Sequence, residues 1–312
     1  MYVELHCCSA FSFLEGASLP EDLIAEAARL EMPAIALLDH DGIYGAPRFH
    51  MAAVKAGVRA HVGAEVSVEG FGMQASPPTW MPNQIPASSV RLALLVENRK
   101  GYQNLCRLIT RYKLREQDKG SGAATLDEIR EHAEGIVCLT GGEEGVLAAA
   151  LSRGGETQAK REIERLISIF GKHNVFVEVQ RHLDPLEEDR IQAAVQLAKR
   201  LNLPLLATNG IHYAHRYDRE VLDVLTCIRN HCRLETAGRL LERNDERHLR
   251  SSAAMARLFS DLPQATATAS ELSVRLEYSL ADLGYQFPLY PVPSGETMDS
   301  FLGSCTLCGE TR

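Results

Sequence analysis

Short apolar runs, each followed by a polar, helix-prone stretch, recur along this 312-residue chain from its start to about residue 208. That alternation limits the fold more than any other feature. Residues 2–6, 34–38, 58–69, 91–97, 136–140, 175–180 and 205–208 read as strands, being short, apolar and bounded by turn residues. Between them, residues 20–30, 46–56, 101–112, a stretch from near Thr125, 144–152, 156–170 and 186–201 carry helical spacing. Ser18 and Glu21 have the spacing of a capping box, with Pro20 early in its helix, where a missing N–H costs little. Apolar strands alternating with helices predict a parallel sheet with helices outside. About seven strands could close into a barrel or lie open in a doubly wound sheet, and periodicity does not decide between them.

The remaining segments read as connections. Residues 70–89 contain Pro77, Pro78, Pro82 and Pro86 and read as a surface loop. A flexible loop is expected over 117–124. Residues 284–296 are rich in proline and tyrosine and read as extended. The sequence divides into a barrel over 1–215, a mostly helical extension over 216–302 and an atypical tail over 303–312.

Composition excludes several classes. Hydrophobic residues make up 45% and charged residues 24%, which suits a globular core and not a disordered chain. No apolar run is long enough to span a bilayer, and the start, MYVELHCCSAF, lacks the basic-then-apolar pattern of a secretory signal. A cytoplasmic location with no membrane partner is expected. Eight scattered cysteines then read as reduced thiols. The Cys305-x-x-Cys308 pair has no second pair nearby and reads as chance. The net charge of −8 means that any contact with nucleic acid needs a local patch or a partner domain. Residues 239–250, RLLERNDERHLR, mix both signs and read as a solvated helix face or an interdomain contact.

Chemistry-bearing residues gather where strands end, which is where ligands bind in barrels and open α/β sheets. The first strand ends in His6-Cys7-Cys8, with Glu15 in the following loop. The second ends in Asp39-His40-Asp41-Gly42, the third carries Gly63-Ala64-Glu65, and the last runs into Asn209-Gly210-Ile211-His212. Imidazoles and carboxylates converging from separate strands suit a polynuclear metal site, which clamps a phosphate and activates a bound water. Singly, each is better read as a structural ion-pair or hydrogen-bond partner. Together they favour a site.

YVELHCCSAFSFLEGAS, ALLDHDGIYGAPRFH, VGAEV and LLVENRKGYQNLCRLIT, followed by FVEVQRH, LPLLATNGIHYA, DVLTCIR, ERHLRS and LGYQFPLYPVPSGETMDSFL, resemble the polymerase-and-histidinol-phosphatase (PHP) domain of bacterial C-family DNA polymerases. The resemblance runs over about residues 2–302 and leans toward the error-prone accessory branch, which acts in DNA replication and damage-associated repair synthesis. It implies a distorted β/α barrel. It also implies a trinuclear zinc- or manganese-type cluster for phosphoester hydrolysis, with 3′–5′ exonuclease proofreading in some polymerases. On this resemblance His6 matches the first ligand, Cys8 stands at the second His position, and Glu15 sits at the next. His40, Glu65 and His212 match further ligands. Three ligand positions are lost: Arg91 replaces a histidine, Gly142 a histidine or cysteine, and Gly210 an aspartate. A guanidinium cannot ligate a metal and glycine offers no side chain. Zinc or manganese at partial occupancy is the most that such a set implies. The polymerase's magnesium-binding carboxylates belong to a core beyond these residues, and the tail GSCTLCGETR departs from the pattern as a frameshift or truncation would.

The expectation is therefore an N-terminal portion of an error-prone DNA polymerase, a nucleotidyltransferase that meets DNA and damage-response partners through the full-length protein. This portion is expected to be catalytically silent alone. A stand-alone metal-dependent phosphoesterase or exonuclease with a reduced ligand set is the alternative.

Overall fold

The computed structural model describes residues 1–71, 89–115, 122–281 and 291–309. The expected loops at 70–89, 117–124 and 284–296 fall largely outside these residues, as do the side chains of Cys305 and Cys308. Residues Met1–Leu280 form one compact unit and Ala281–Arg312 a second, so the division expected at residue 215 falls inside the first. The second unit contains a helix at Met298–Gly309.

Six strands form one sheet in sequence order: β1 (Ala34–His40), β2 (Arg59–Glu69), β3 (Ser89–Val96), β4 (Ile136–Leu139), β5 (Val175–Val179) and β6 (Leu205–Ala207). Every strand falls where an apolar run stands in the sequence. Residues 2–6 do not form a seventh regular strand. They run between the two ends of the sheet and bridge Glu4 to Ile35 and Cys7 to Ile211, both in parallel sense. Backbone bonds from Ala36 N to Glu4 O (2.9 Å), from Leu38 N to Cys7 O (2.7 Å) and from Cys8 N to Ile211 O (2.9 Å) satisfy both edges of this segment. The sheet is thereby curled into a distorted barrel, with helices packed outside.

One strand departs from the parallel expectation. β1 and β2 are parallel, as are β4, β5 and β6, but β3 runs antiparallel to both β2 and β4. Alternating strands and helices do not reveal this, because direction depends on non-local pairing. The consequence is specific. The reversal brings the beginning of β3, where Arg91 lies opposite Ser67, to the end of the barrel at which the parallel strands finish.

The core is apolar and continuous. Leu38, Phe49, Val66, Leu94, Leu139, Val177 and Leu206 are all fully buried. Each contributes on the order of 1.5–3 kcal/mol relative to exposure. The helix expected over 46–56 forms at Ala46–Ala56. The two expected over 144–152 and 156–170 form as Val146–Phe170 with a break at Gly154 and Gly155. Helices at Arg219–Arg229, Ser252–Leu258 and Pro263–Arg275 follow the sheet. The capping box is different: Leu19 is the N-cap of Pro20–Arg29, and Asp22 accepts from its N–H at 3.3 Å. The Ser18 hydroxyl is engaged elsewhere, accepting from Ala214 N at 2.7 Å and bonding to Asp218 at 3.1 Å.

Candidate functional site

A cavity of about 940 Å³ opens at the end of the barrel where the parallel strands finish. All six residues expected as ligands, His6, Cys8, Glu15, His40, Glu65 and His212, line it, as do Arg91, Gly142 and Gly210. They fall into two groups.

Glu65 of β2 stands at the centre of the first. Its carboxylate lies 3.4 Å from His6 Nε2 and 2.8 Å from His40 Nε2. Parallel pairing produces this, because His40 and Glu65 are register partners in β1 and β2. His6 is fixed from behind by Glu178 of β5, at 2.7 Å from Nδ1. His40 Nδ1 contacts Glu15. Cys8 lies close by, its Sγ 3.9 Å from Glu15 O.

Arg91 enters this group from β3. One guanidinium nitrogen lies 2.7 Å from Glu15 Oε2. Another lies 2.9 Å from His40 Nε2 and 3.7 Å from Glu65 Oε2, and Nε lies 3.0 Å from Glu144. Arg229 reaches the other oxygen of Glu15 at 2.6 Å.

The electrostatics follow from these contacts. Burial pushes Glu15 up, but Arg91, His40 and Arg229 outweigh it and hold the carboxylate below its ordinary range. Burial likewise opposes the charge of Glu65, and hydrogen bonds with His40 and His6 overcome that, so it stays well below the usual value. Burial disfavours the imidazolium of His6, yet Glu178 and Glu65 raise it well above the ordinary histidine value. His40 is raised in the same way, by Glu15 and Cys8 against burial and Arg91.

The second group contains His212. Its Nδ1 lies 3.0 Å from Glu242, which also pairs with Arg247 at 3.3 Å. Arg247 reaches Glu143 at 3.3 Å as well. Burial lowers His212 below its ordinary value despite Glu242. The segment 239–250 is therefore not a solvated helix face. Glu246 and Arg247 are buried and Arg247 lines the cavity, because Glu246 pairs with Arg216 and Arg250 while Arg247 pairs with Glu143 from outside the segment and Glu242 within it.

Several of these residues escape a sequence reading. Glu178, Gln180, Arg229, Glu242 and Arg247 carry as much of the geometry as the expected set. Only Glu178 left a usable signal, a carboxylate inside the apolar run VFVEV. Burying it there requires a partner.

The donor set does not fit a metal. Its imidazole and carboxylate atoms are turned toward one another and toward Arg91. Among the described residues no group of three or more His, Cys, Asp or Glu side chains is arranged to hold an ion.

A family model described as the PHP domain matches residues 4–182. The chain is similar to an error-prone DNA polymerase of Mycolicibacterium paratuberculosis, with 39% identity over 309 residues, 99% of this chain and 28% of that protein. It is also similar to an error-prone DNA polymerase of Anaeromyxobacter dehalogenans, with 37% identity over 295 residues, 93% of this chain and 24% of that protein. This chain thus spans about a quarter of the length of these relatives. Among solved structures, an amidohydrolase from Chromobacterium violaceum aligns with a TM-score of 0.43 and 16% identity, over 68% of this chain and 88% of that one. Among the described residues no helix is long and apolar enough to cross a membrane.

Proposed function

This chain belongs to the PHP domain family, and from that premise we propose that it is the N-terminal PHP portion of an error-prone DNA polymerase and hydrolyses no phosphoester on its own. The observation that carries the reading is Arg91, whose guanidinium is inserted among Glu15, His40 and Glu65. A PHP hydrolase needs a metal to lower the pKa of water and to clamp a phosphate. Here the Glu15 and Glu65 carboxylates are paired with an arginine packed against His40, and that arginine stays protonated and cannot ligate. The barrel then serves as a rigid module. DNA synthesis at damage, magnesium, contact with DNA, any damage-response partner and a cytoplasmic location belong, on this reading, to the longer polymerase.

A stand-alone phosphoesterase or exonuclease that takes zinc or manganese through His6, Cys8, Glu15, His40, Glu65 and His212 is the competing reading. The two are separated by purifying the chain, measuring bound metal by mass spectrometry, and assaying hydrolysis of single-stranded DNA and a generic phosphomonoester with zinc or manganese added. The expected result is well under one equivalent of metal and no hydrolysis. Tightly bound metal together with nuclease activity lost in Glu65→Gln would overturn it. The chain is also expected to extend no primer, and template-directed incorporation would contradict that.

A further inference from the structure

The lost ligand positions are not empty space. Around Arg91, one buried cation touches groups from three parts of the chain: Glu15 in the loop after the first segment, His40 at the end of β1 and Glu65 in β2. Drawing together carboxylates and an imidazole from separate elements is what a bridging ion does. Without some cation the clustered carboxylates would repel one another and stay poorly solvated.

The same holds on the other side of the cavity. A Cβ built on Gly142 would lie 2.4 Å from Gln180 Oε1, and one on Gly210 would lie 2.7 Å from the same atom. A single carboxamide thus occupies the volume that a side chain at either position needs. Gln180 Nε2 donates to Glu178 at 2.8 Å and to Thr208 at 3.2 Å, which fixes the amide with Oε1 toward both glycines. Gln180 is buried, and that oxygen has no hydrogen-bond partner.

We infer that this cavity has exchanged bound cations and their ligands for side chains of its own: Arg91 is the resident cation of the Glu15–His40–Glu65 group, and Gln180 is the filler that keeps positions 142 and 210 without side chains. This rests on the non-hydrolytic reading above and goes beyond it, because a site can be inactive without being filled. A merely decayed site would leave its carboxylates short of a cation and open to any divalent ion. A filled site excludes the ion until the filler is removed. Since Arg91 touches both Glu15 and Glu65, whereas Arg229 reaches only Glu15 and Gln180 only Glu178, Arg91 gates entry of the first ion.

The test strips the whole purified chain with EDTA, then titrates wild type, Arg91→His and Arg91→His/Glu65→Gln with zinc chloride. Bound metal and melting temperature are read together. Wild type is expected to take up little zinc and to melt at the same temperature with zinc or EDTA. Arg91→His is expected to bind about one equivalent and to gain melting temperature as occupancy rises, and the Glu65→Gln change is expected to abolish both. Arg91→His that folds and binds no more zinc than wild type overturns the inference while leaving the non-hydrolytic reading intact. Zinc-dependent DNA hydrolysis by wild type overturns that reading instead. If Arg91→His cannot be recovered folded, Arg91→Lys and Arg91→Met decide. A more stable lysine variant supports a cationic role, and equal behaviour of the two overturns it.

Discussion

The carboxamide oxygen of Gln180 lies 2.7 Å from the point at which a Cβ on Gly210 would sit. Gly210 also has φ at 53°, a left-handed conformation that most side chains adopt at a cost. Placing an aspartate at position 210 is therefore expected to destabilise the barrel by about 2–4 kcal/mol through overpacking and backbone strain. Gln180→Ala in the same chain should return roughly 1–2 kcal/mol of that, although alone it only removes hydrogen bonds. Denaturant unfolding of the wild type, both single variants and the double variant measures the coupling. Additive effects would show that the two positions do not compete for space.

Glu178 holds the back of the cavity. It accepts from His6 Nδ1 at 2.7 Å and from Gln180 at 2.8 Å, and it contacts the Thr208 hydroxyl. Removing one partner of a buried charge pair costs about 3–5 kcal/mol, because the other charge stays buried. Glu178→Gln should approach that cost while keeping the shape, and it should move the His6 titration downward, since Glu178 is the first of the groups that raise it. Denaturant melts and imidazole NMR titration read the two effects. An unmoved His6 titration would contradict this account.

Much of the scaffold is legible in the sequence because it is local. The apolar runs that become β1 and β6 are bounded by turn residues, and each delivers chemistry to its end. His40 and Glu65 meet because they are register partners in parallel strands, and His6 reaches Glu65 from the segment that bridges to Ile35 and Ile211. The reversal of β3 is not local, and with it went the placement of Arg91. A sequence reading sees an arginine where a ligand is missing, and only the fold shows its guanidinium between Glu15 and His40. Gln180 is hidden for a similar reason. Two glycines far apart in sequence depend on one side chain, and nothing in the spacing of residues 142, 180 and 210 reveals it. In residues 239–250 the alternating charges suggested solvent. Arg247 is buried because Glu143, from outside the segment, joins Glu242 in pairing with it.

Asn209 ties that segment to the barrel. Its Nδ2 donates to the carbonyls of Glu246 at 2.7 Å and His248 at 2.9 Å, while its own N–H donates to Glu4 at 2.9 Å. Asn209→Ala leaves both carbonyls without that donor, and an unsatisfied buried polar group costs about 1–3 kcal/mol. A loss of roughly 2–4 kcal/mol is expected, together with faster amide hydrogen exchange over residues 245–249. Exchange unchanged in that window would mean that other contacts hold the segment.

His61 contributes acid sensitivity to the unit, away from the cavity. It lies in β2, and its Nε2 is 2.7 Å from the Ser273 hydroxyl. Burial, and secondarily Arg59, lower its pKa from 6.5 to about 4. The sign follows directly. Between pH 6.5 and 4 the unfolded chain takes up a proton that the folded chain refuses, so stability present above pH 6.5 is lost as pH falls toward 4. The slope is up to about 1.4 kcal/mol per pH unit, or roughly 3 kcal/mol over the whole window. His61→Gln removes the titration and leaves the acid-side behaviour of Glu15 and Glu65 in place. The stability difference between wild type and this variant should therefore shrink by about 3 kcal/mol between pH 7 and pH 4, as read by urea unfolding at each pH. A difference that stays constant across that range would show that His61 titrates alike in the folded and unfolded chains.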